Sequence, residues 1–224
     1  MKNPLLLAVF CLGLFLLVAF YFVSKTLYKI RHKAGYHFYQ MFPYEFNYPS
    51  VFKENIWGNF LFILACFAVV AFYILYPYES MYRTIAIAVS IVLAMVFLCL
   101  LMMPMHYLKT HLVLSIISMT LSLAIVLIGL IFGYTNYKFY NDNNIVRILS
   151  IASMVYSGLL SLAMLVLILN PKLTFKIYLD KDTDSSGNEV LKRPRVIFLA
   201  LNEWVSIFVY FLSPLSILLP LLVH

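Results

Sequence analysis

Six apolar runs, Pro4–Val23, Gly58–Tyr76, Arg83–Met103, His111–Gly133, Ile145–Leu169 and Arg195–Val223, leave this chain little choice of solvent. A helix of about 20 such residues crosses the ~30 Å hydrocarbon core of a bilayer. In lipid, an α-helix keeps every backbone group hydrogen-bonded within its own segment. Charged residues make up 11% of the chain, against about 25% in soluble domains. Mean hydropathy is +0.94. With the runs removed, too little polar chain remains for a second domain. The expected fold is therefore all-α: a polytopic membrane protein, one domain over residues 1–224, built as a bundle of six transmembrane helices. The spans are 4–23, 58–76, 83–103, 111–133, 145–169 and 195–223, joined on one side by loops 24–57, 104–110 and 170–194.

The charge of +7 is distributed as an orientation signal. Of the 16 Lys and Arg, only Lys2, Arg83, Lys138 and Arg147 fall on the side of the short loops. Lys25, Lys29, Arg31, Lys33 and Lys53, then Lys109, then Lys172, Lys176, Lys181, Lys192, Arg193 and Arg195 fall in or beside the three long-side loops. Basic residues mark the cytoplasmic side, so the expectation is a cytoplasmic membrane protein with both termini outside. A positive charge placed this way meets lipid headgroups and excludes a nucleic-acid role. The first run, longer than a signal-peptide core and without a small-residue cleavage site, reads as a retained anchor. Cys11, Cys66 and Cys99 all lie within spans at no paired spacing, so neither a disulfide framework nor a zinc site is expected. The bias toward Lys, Asn, Ile, Phe and Tyr fits an AT-rich bacterial gene.

Two loops have character. The first turns from basic to aromatic, with Tyr36, Phe38, Phe42, Tyr44, Phe46 and Tyr48 close together and Pro43 and Pro49 breaking any long helix. Such a segment belongs at the headgroup level, packed beneath the bundle, and offers a docking surface for a membrane-protein partner. The third holds Leu173–Asp180 and Glu189–Lys192 around a polar turn, the pattern of a small cytoplasmic hairpin. A lone hairpin is marginal in water, so it should lean on the first loop or on a partner.

The spans carry packing faces. Ser115, Ser118, Ser122, Gly129 and Gly133 share one side of the fourth, and Ser150, Ser153, Ser157 and Ser161 one side of the fifth. Small residues at this spacing let membrane helices approach closely, and the two stripes are expected to meet.

Glu203 is the sole acidic residue inside a span. With Asn202, Ser206, Tyr210 and Ser213 it forms a polar stripe on the sixth helix, and Pro214 should kink that helix beside it. A carboxyl at membrane depth is a candidate proton, cation or substrate site. The plainer alternative has it snorkel to the interface or pair with a basic, Ser or Tyr side chain. The pairs His32/His37 and His106/His111 have the wrong spacing for helical zinc ligands, and Asp180, Asp182 and Asp184 begin a calcium-loop pattern that Ser185 and Leu191 break. No metal or cofactor is expected. Enzyme motifs such as G-x-S-x-G, H-E-x-x-H and C-x-x-C are missing, and no internal repeat is visible. Two functions remain. The chain is a non-enzymatic subunit, accessory or immunity-type partner of another membrane protein, or it carries a small solute through the stripe around Glu203.

Overall fold

The computed structural model describes residues 4–48, 53–77, 81–103, 107–139, 143–173, 180–183, 189–192 and 194–222. Helices α1 (Pro4–His32), α2 (Ile56–Leu75), α3 (Met81–Met102), α4 (Leu108–Phe139) and α5 (Asn144–Ile168) are followed by strands β1 (Asp180–Thr183) and β2 (Glu189–Lys192). The chain closes with α6 (Phe198–Leu212) and α7 (Pro214–Leu221), which together make the sixth span. Six helices are long and apolar enough to cross a membrane, so the protein is a multi-pass membrane protein of all-helical class apart from the short hairpin. One end of the bundle, the hairpin end, carries the α1–α2 loop and the strands; the other carries the first and last helical residues.

Several boundaries differ from the hydropathy reading. Helix α1 runs nine residues past Val23 through its basic stretch to His32, because Lys and Arg are good helix formers and favour a helix C-terminus. It ends where Lys33 adopts a left-handed backbone (φ 51°), just before Gly35. The described strands pair antiparallel, Asp180 with Lys192 and Thr183 with Glu189. The expected first strand began at Leu173; its residues 174–179 and the turn 184–188 lie outside the described residues, as do Pro49 and His106.

The last span is the hub. Its window is 72% buried, against 28% for α1 and 17% for α5. That ranking explains why α6 and α7 carry the buried Trp204, Tyr210, Ser206, Ser213 and Ser216, while α5 shows lipid a row of Ile and Leu. The two small-residue stripes meet each other toward the terminal end. There a Cβ on Gly129 would strike Ser216 Oγ and lie 3.1 Å from Ser157 Oγ, and one on Gly133 would lie 3.0 Å from Ser153 Oγ. Toward the hairpin end the α4 stripe turns to α6 instead: Ser122 donates to the Ser206 carbonyl and Ser115 to Glu203. The sixth span is thus wedged into the groove that the stripes of α4 and α5 make.

Candidate functional site

The site lies on the first turns of α6. Glu203 is fully buried, and its Oε1 meets His111 Nε2 at 2.9 Å and Ser115 Oγ at 2.5 Å. Of the alternatives read from sequence, the observed one is pairing, and the residue does not snorkel. The partner, His111, sits on the first turn of α4 and is itself fully buried. Its other ring nitrogen, Nδ1, lies 2.9 Å from the carbonyl of Met103 just past α3. A carbonyl only accepts, so Nδ1 carries a proton in every state that keeps this bond. Nε2 and Oε1 then share one further proton: either His111 is an imidazolium facing a carboxylate, or it is neutral and Glu203 is the acid that donates to it. Both arrangements have no net charge. Without that proton, a lone pair and a carboxylate oxygen would face each other at 2.9 Å, a contact that repels.

The rest of the stripe divides in two. Glu203 Oε2, Asn202 Oδ1 and Ser206 Oγ are buried with no hydrogen-bond partner among the described residues. Asn202 does use its amide nitrogen, which donates to Leu167 O near the end of α5 at 3.2 Å. Further along, Tyr210 and Ser213 are fully engaged. Tyr210 donates to Ser90 O (3.2 Å) while its oxygen sits 3.0 Å from Ser90 Oγ, and Ser213 Oγ lies 2.8 Å from Tyr73 Oη. Ser213 also donates to Tyr210 O at 2.8 Å, the carbonyl that Pro214, lacking an N–H, leaves open. Pro214 ends α6 without leaving that carbonyl bare. The five residues of the stripe therefore form a hairpin-end group of three with spare oxygens and a terminal-end pair whose bonding is complete.

The α1–α2 loop covers the hairpin end of the site. The rings of Phe42 and Tyr44 stand edge-on to His111 at 5.6 and 5.5 Å. Trp204, next to Glu203 and fully buried, donates from Nε1 to Met41 O (3.1 Å) and to Tyr36 Oη (3.2 Å), so the helix that bears the carboxyl is bolted to the loop. Tyr36 Oη in turn donates to Phe42 O at 2.8 Å. Burial, and after it the nearby Glu45 carboxylate, push the Tyr36 phenol well above its ordinary pKa, so it stays a neutral donor. Arg31 closes the loop from the other side, bonding Phe46 O at 2.8 Å and Glu54 at 3.0 Å. Of the six aromatics read as a docking surface, Tyr36, Phe42 and Phe46 are spent on this internal packing. Phe38 and Tyr48 are exposed, at 38% and 55%, and Tyr44 is half-buried.

His111 is the site residue that sequence reasoning missed. The sequence sets it beside His106 as a histidine pair, whereas its partner in the fold is Glu203, 92 positions away. The only local signal was that both are ionisable residues one to two turns into their spans on the same side. No family model, curated protein or solved structure matches this chain.

Proposed function

We propose that the protein is a proton-linked carrier of a small solute, with the Glu203–His111 pair as the group that takes up and releases the proton. One observation carries the reading: a fully buried carboxyl stands 2.9 Å from a buried imidazole nitrogen while its second oxygen and two neighbouring side-chain oxygens lack partners among the described residues. A purely structural pair is expected to have its remaining lone pairs satisfied, since unpaired oxygens in a low dielectric are costly. Spare acceptors beside a titratable pair fit a group that exchanges ligands. The terminal-end half, where α4, α5 and α7 touch at Gly129 and Gly133, serves as the closed side of the path. The aromatic loop from Tyr36 to Tyr48 serves as the gate on the other. By the positive-inside rule we assign the hairpin end to the cytoplasm, both termini to the outside, and the protein to a bacterial plasma membrane.

The test uses purified protein in liposomes with a preset pH gradient read by an entrapped dye. Sugars, amino acids, organic anions and inorganic cations are added in turn. At least one class should collapse the gradient with the native protein and not with Glu203→Gln. If no class does so, the carrier reading falls.

A second reading, that the chain is a non-enzymatic subunit docking on another membrane protein, has its own support. The segment that follows the hairpin is tied to the first loop through Ile197 N to Tyr39 O (2.9 Å) and Gln40 to Pro194 O (3.3 Å). A two-stranded hairpin is marginal in water by itself, which fits a segment completed by a partner. Stoichiometric co-purification of a second membrane protein from mild detergent, lost on deleting 180–192, is its expected signature.

A further inference from the structure

We infer that the hairpin end of α1 binds an anionic phospholipid, with its phosphate along Lys25, Lys29 and His32 and an acyl chain along Phe15, Val18 and Phe22. The inference is independent of what the protein carries or docks on.

These six residues follow one another at steps of three, four, three, four and three, so they form a single row along α1. The row changes character once. Phe15, Val18 and Phe22 are 69%, 52% and 60% exposed, on the side of α1 turned away from the bundle. Past Phe22 the same row is basic: Lys25 is half-buried, and Lys29 and His32 are exposed. That change falls at the depth where a bilayer itself changes. From Pro4 to Val23 the helix rises about 30 Å, the thickness of the hydrocarbon core, and its full 29 residues reach about 43 Å. The last turns, from Ser24 to His32, therefore stand at headgroup level. From Lys25 to His32 the row rises about 10 Å, roughly the depth of the headgroup layer.

The basic side chains at this end are not alike. Arg31 is consumed by the Glu54 carboxylate at 3.0 Å and the Phe46 carbonyl at 2.8 Å. Lys25, Lys29 and His32 meet no carboxylate: the ion pairs among the described residues are Arg31–Glu54 and His111–Glu203. Two of the three are nonetheless held in place. Lys25 Nζ sits 5.6 Å from the centre of the Tyr21 ring, and the His32 ring lies 4.4 Å from that of buried Tyr28. A phosphodiester supplies the opposite charge and accepts charge-assisted hydrogen bonds from such donors. A soluble acidic partner would meet the basic part of the row and leave the three apolar side chains bare. A lipid covers both parts with one molecule. A zwitterionic headgroup brings its own cation and leaves the charge of the row unbalanced, so a net negative lipid is preferred.

The experiment is native mass spectrometry of the full chain, purified in mild detergent and given equimolar phosphatidylglycerol and phosphatidylcholine with the same acyl chains. The native protein should prefer the glycerol lipid about twentyfold, from a factor of roughly five for each lysine. Lys25→Gln/Lys29→Gln should bring the two lipids near parity. Lys29→Glu, a single change at an exposed position, should lower the preference further than Lys29→Gln does. Lys53→Gln/Lys172→Gln removes the same charge from exposed positions elsewhere at this end, and should leave the preference within about twofold. Phe15→Ala/Phe22→Ala should reduce retention of the glycerol lipid about threefold through lost apolar contact. Free glycerol phosphate at the same concentration should not displace the lipid. Equal retention of both lipids by the native protein overturns the inference. So does a loss of preference as large in Lys53→Gln/Lys172→Gln as in Lys25→Gln/Lys29→Gln, which would mark a diffuse surface charge. Displacement by glycerol phosphate, with Phe15→Ala/Phe22→Ala binding like the native protein, would replace the lipid with a free phosphate and overturn it too.

Discussion

The two halves of the sixth span handle polar atoms in opposite ways. In the terminal-end half, Pro214 and Pro220 remove two backbone donors and a tight turn strands a third carbonyl, yet each opened acceptor has been given a hydroxyl. Tyr210 O takes Ser213 Oγ, Leu212 O takes Tyr156 Oη at 3.1 Å, and Ser216 O takes Ser153 Oγ from α5. Ser216 adds its own bond to Ser213 O at 2.6 Å. In the hairpin-end half the backbone is regular and presents no such problem, yet Asn202, Glu203 and Ser206 each keep an oxygen idle. Lipid offers no water to make up the difference. A chain that repairs every carbonyl freed by proline, but leaves a carboxyl half-bonded two turns away, is treating the two places differently. The first is architecture; the second is where the proposed solute site lies.

The sharpest way to break this contrast is to cut the ionisable pair. His111→Leu removes the partner of a buried carboxyl and opens the Met103 carbonyl together, and should destabilise the protein by about 3 kcal/mol. Adding Glu203→Leu to it should recover most of that loss, since replacing both members of a buried pair by apolar groups is near neutral. Thermal unfolding in mild detergent measures both. Full recovery of stability without recovery of exchange would mark the pair as functional; a double variant as unstable as the single one would mark it as scaffold.

The next prediction concerns the repaired half. Ser153→Ala strips the donor from Ser216 O and should destabilise by about 1.5 kcal/mol, the upper range for a hydrogen bond between membrane helices. In a Pro220→Ala background the helix regains its own N–H for that carbonyl, and the same substitution should then change stability by under about 0.5 kcal/mol. Equal effects in both backgrounds would show that Ser153 does not compensate for Pro220.

Much of this was readable before the fold was known. The spans, the loop that packs beneath the bundle and the stripe on the sixth helix follow from hydropathy, aromatic content and helical spacing, which are local properties. Ser153 and Ser157 were legible as a packing face, but not Ser153 as the donor for a proline-opened carbonyl on another helix, since that needs the pairing of α5 with α7. His111 was hidden for the same reason: its meaning depends on Glu203, brought to it by tertiary packing. For the aromatics of the first loop, composition gives affinity for an interface without saying which faces turn inward. Trp204 and Tyr36 decide that, by a bond spanning 168 positions.

Glycines give a smaller and cleaner test of where the bundle is closed. Gly129 faces Ser216 and Ser157 at a distance that leaves no room for a methyl, whereas nothing lies within 4 Å of a Cβ on Gly158. Gly129→Ala should therefore destabilise by about 1 to 3 kcal/mol through overpacking. Gly158→Ala should stabilise by about 0.5 to 1 kcal/mol, because Ala is the better helix residue and no clash opposes it. The same sign for both would show that α4 and α7 are not in tight contact at the terminal end.

The smallest effects are expected from the idle hydroxyls, and they separate spare oxygens that serve a ligand from those that do not. Ser157 Oγ and Ser206 Oγ are both buried and unpartnered. Replacing either by Ala removes a polar group that makes no bond, so each variant should match the native protein in thermal stability within about 0.5 kcal/mol. Their functions should part. Ser206 is adjacent to Glu203 on the helix surface, while Ser157 lies beside Gly129 in the closed half. Ser206→Ala should weaken solute-driven proton efflux, and Ser157→Ala should leave its concentration dependence where it was. If Ser157→Ala weakens efflux as much as Ser206→Ala, the ligand reaches the terminal-end half and the boundary between the solute site and the repaired region must move outward along the span. A loss of more than about 1 kcal/mol in either variant would instead mean that the hydroxyl has a bound water, which it would lose with the oxygen.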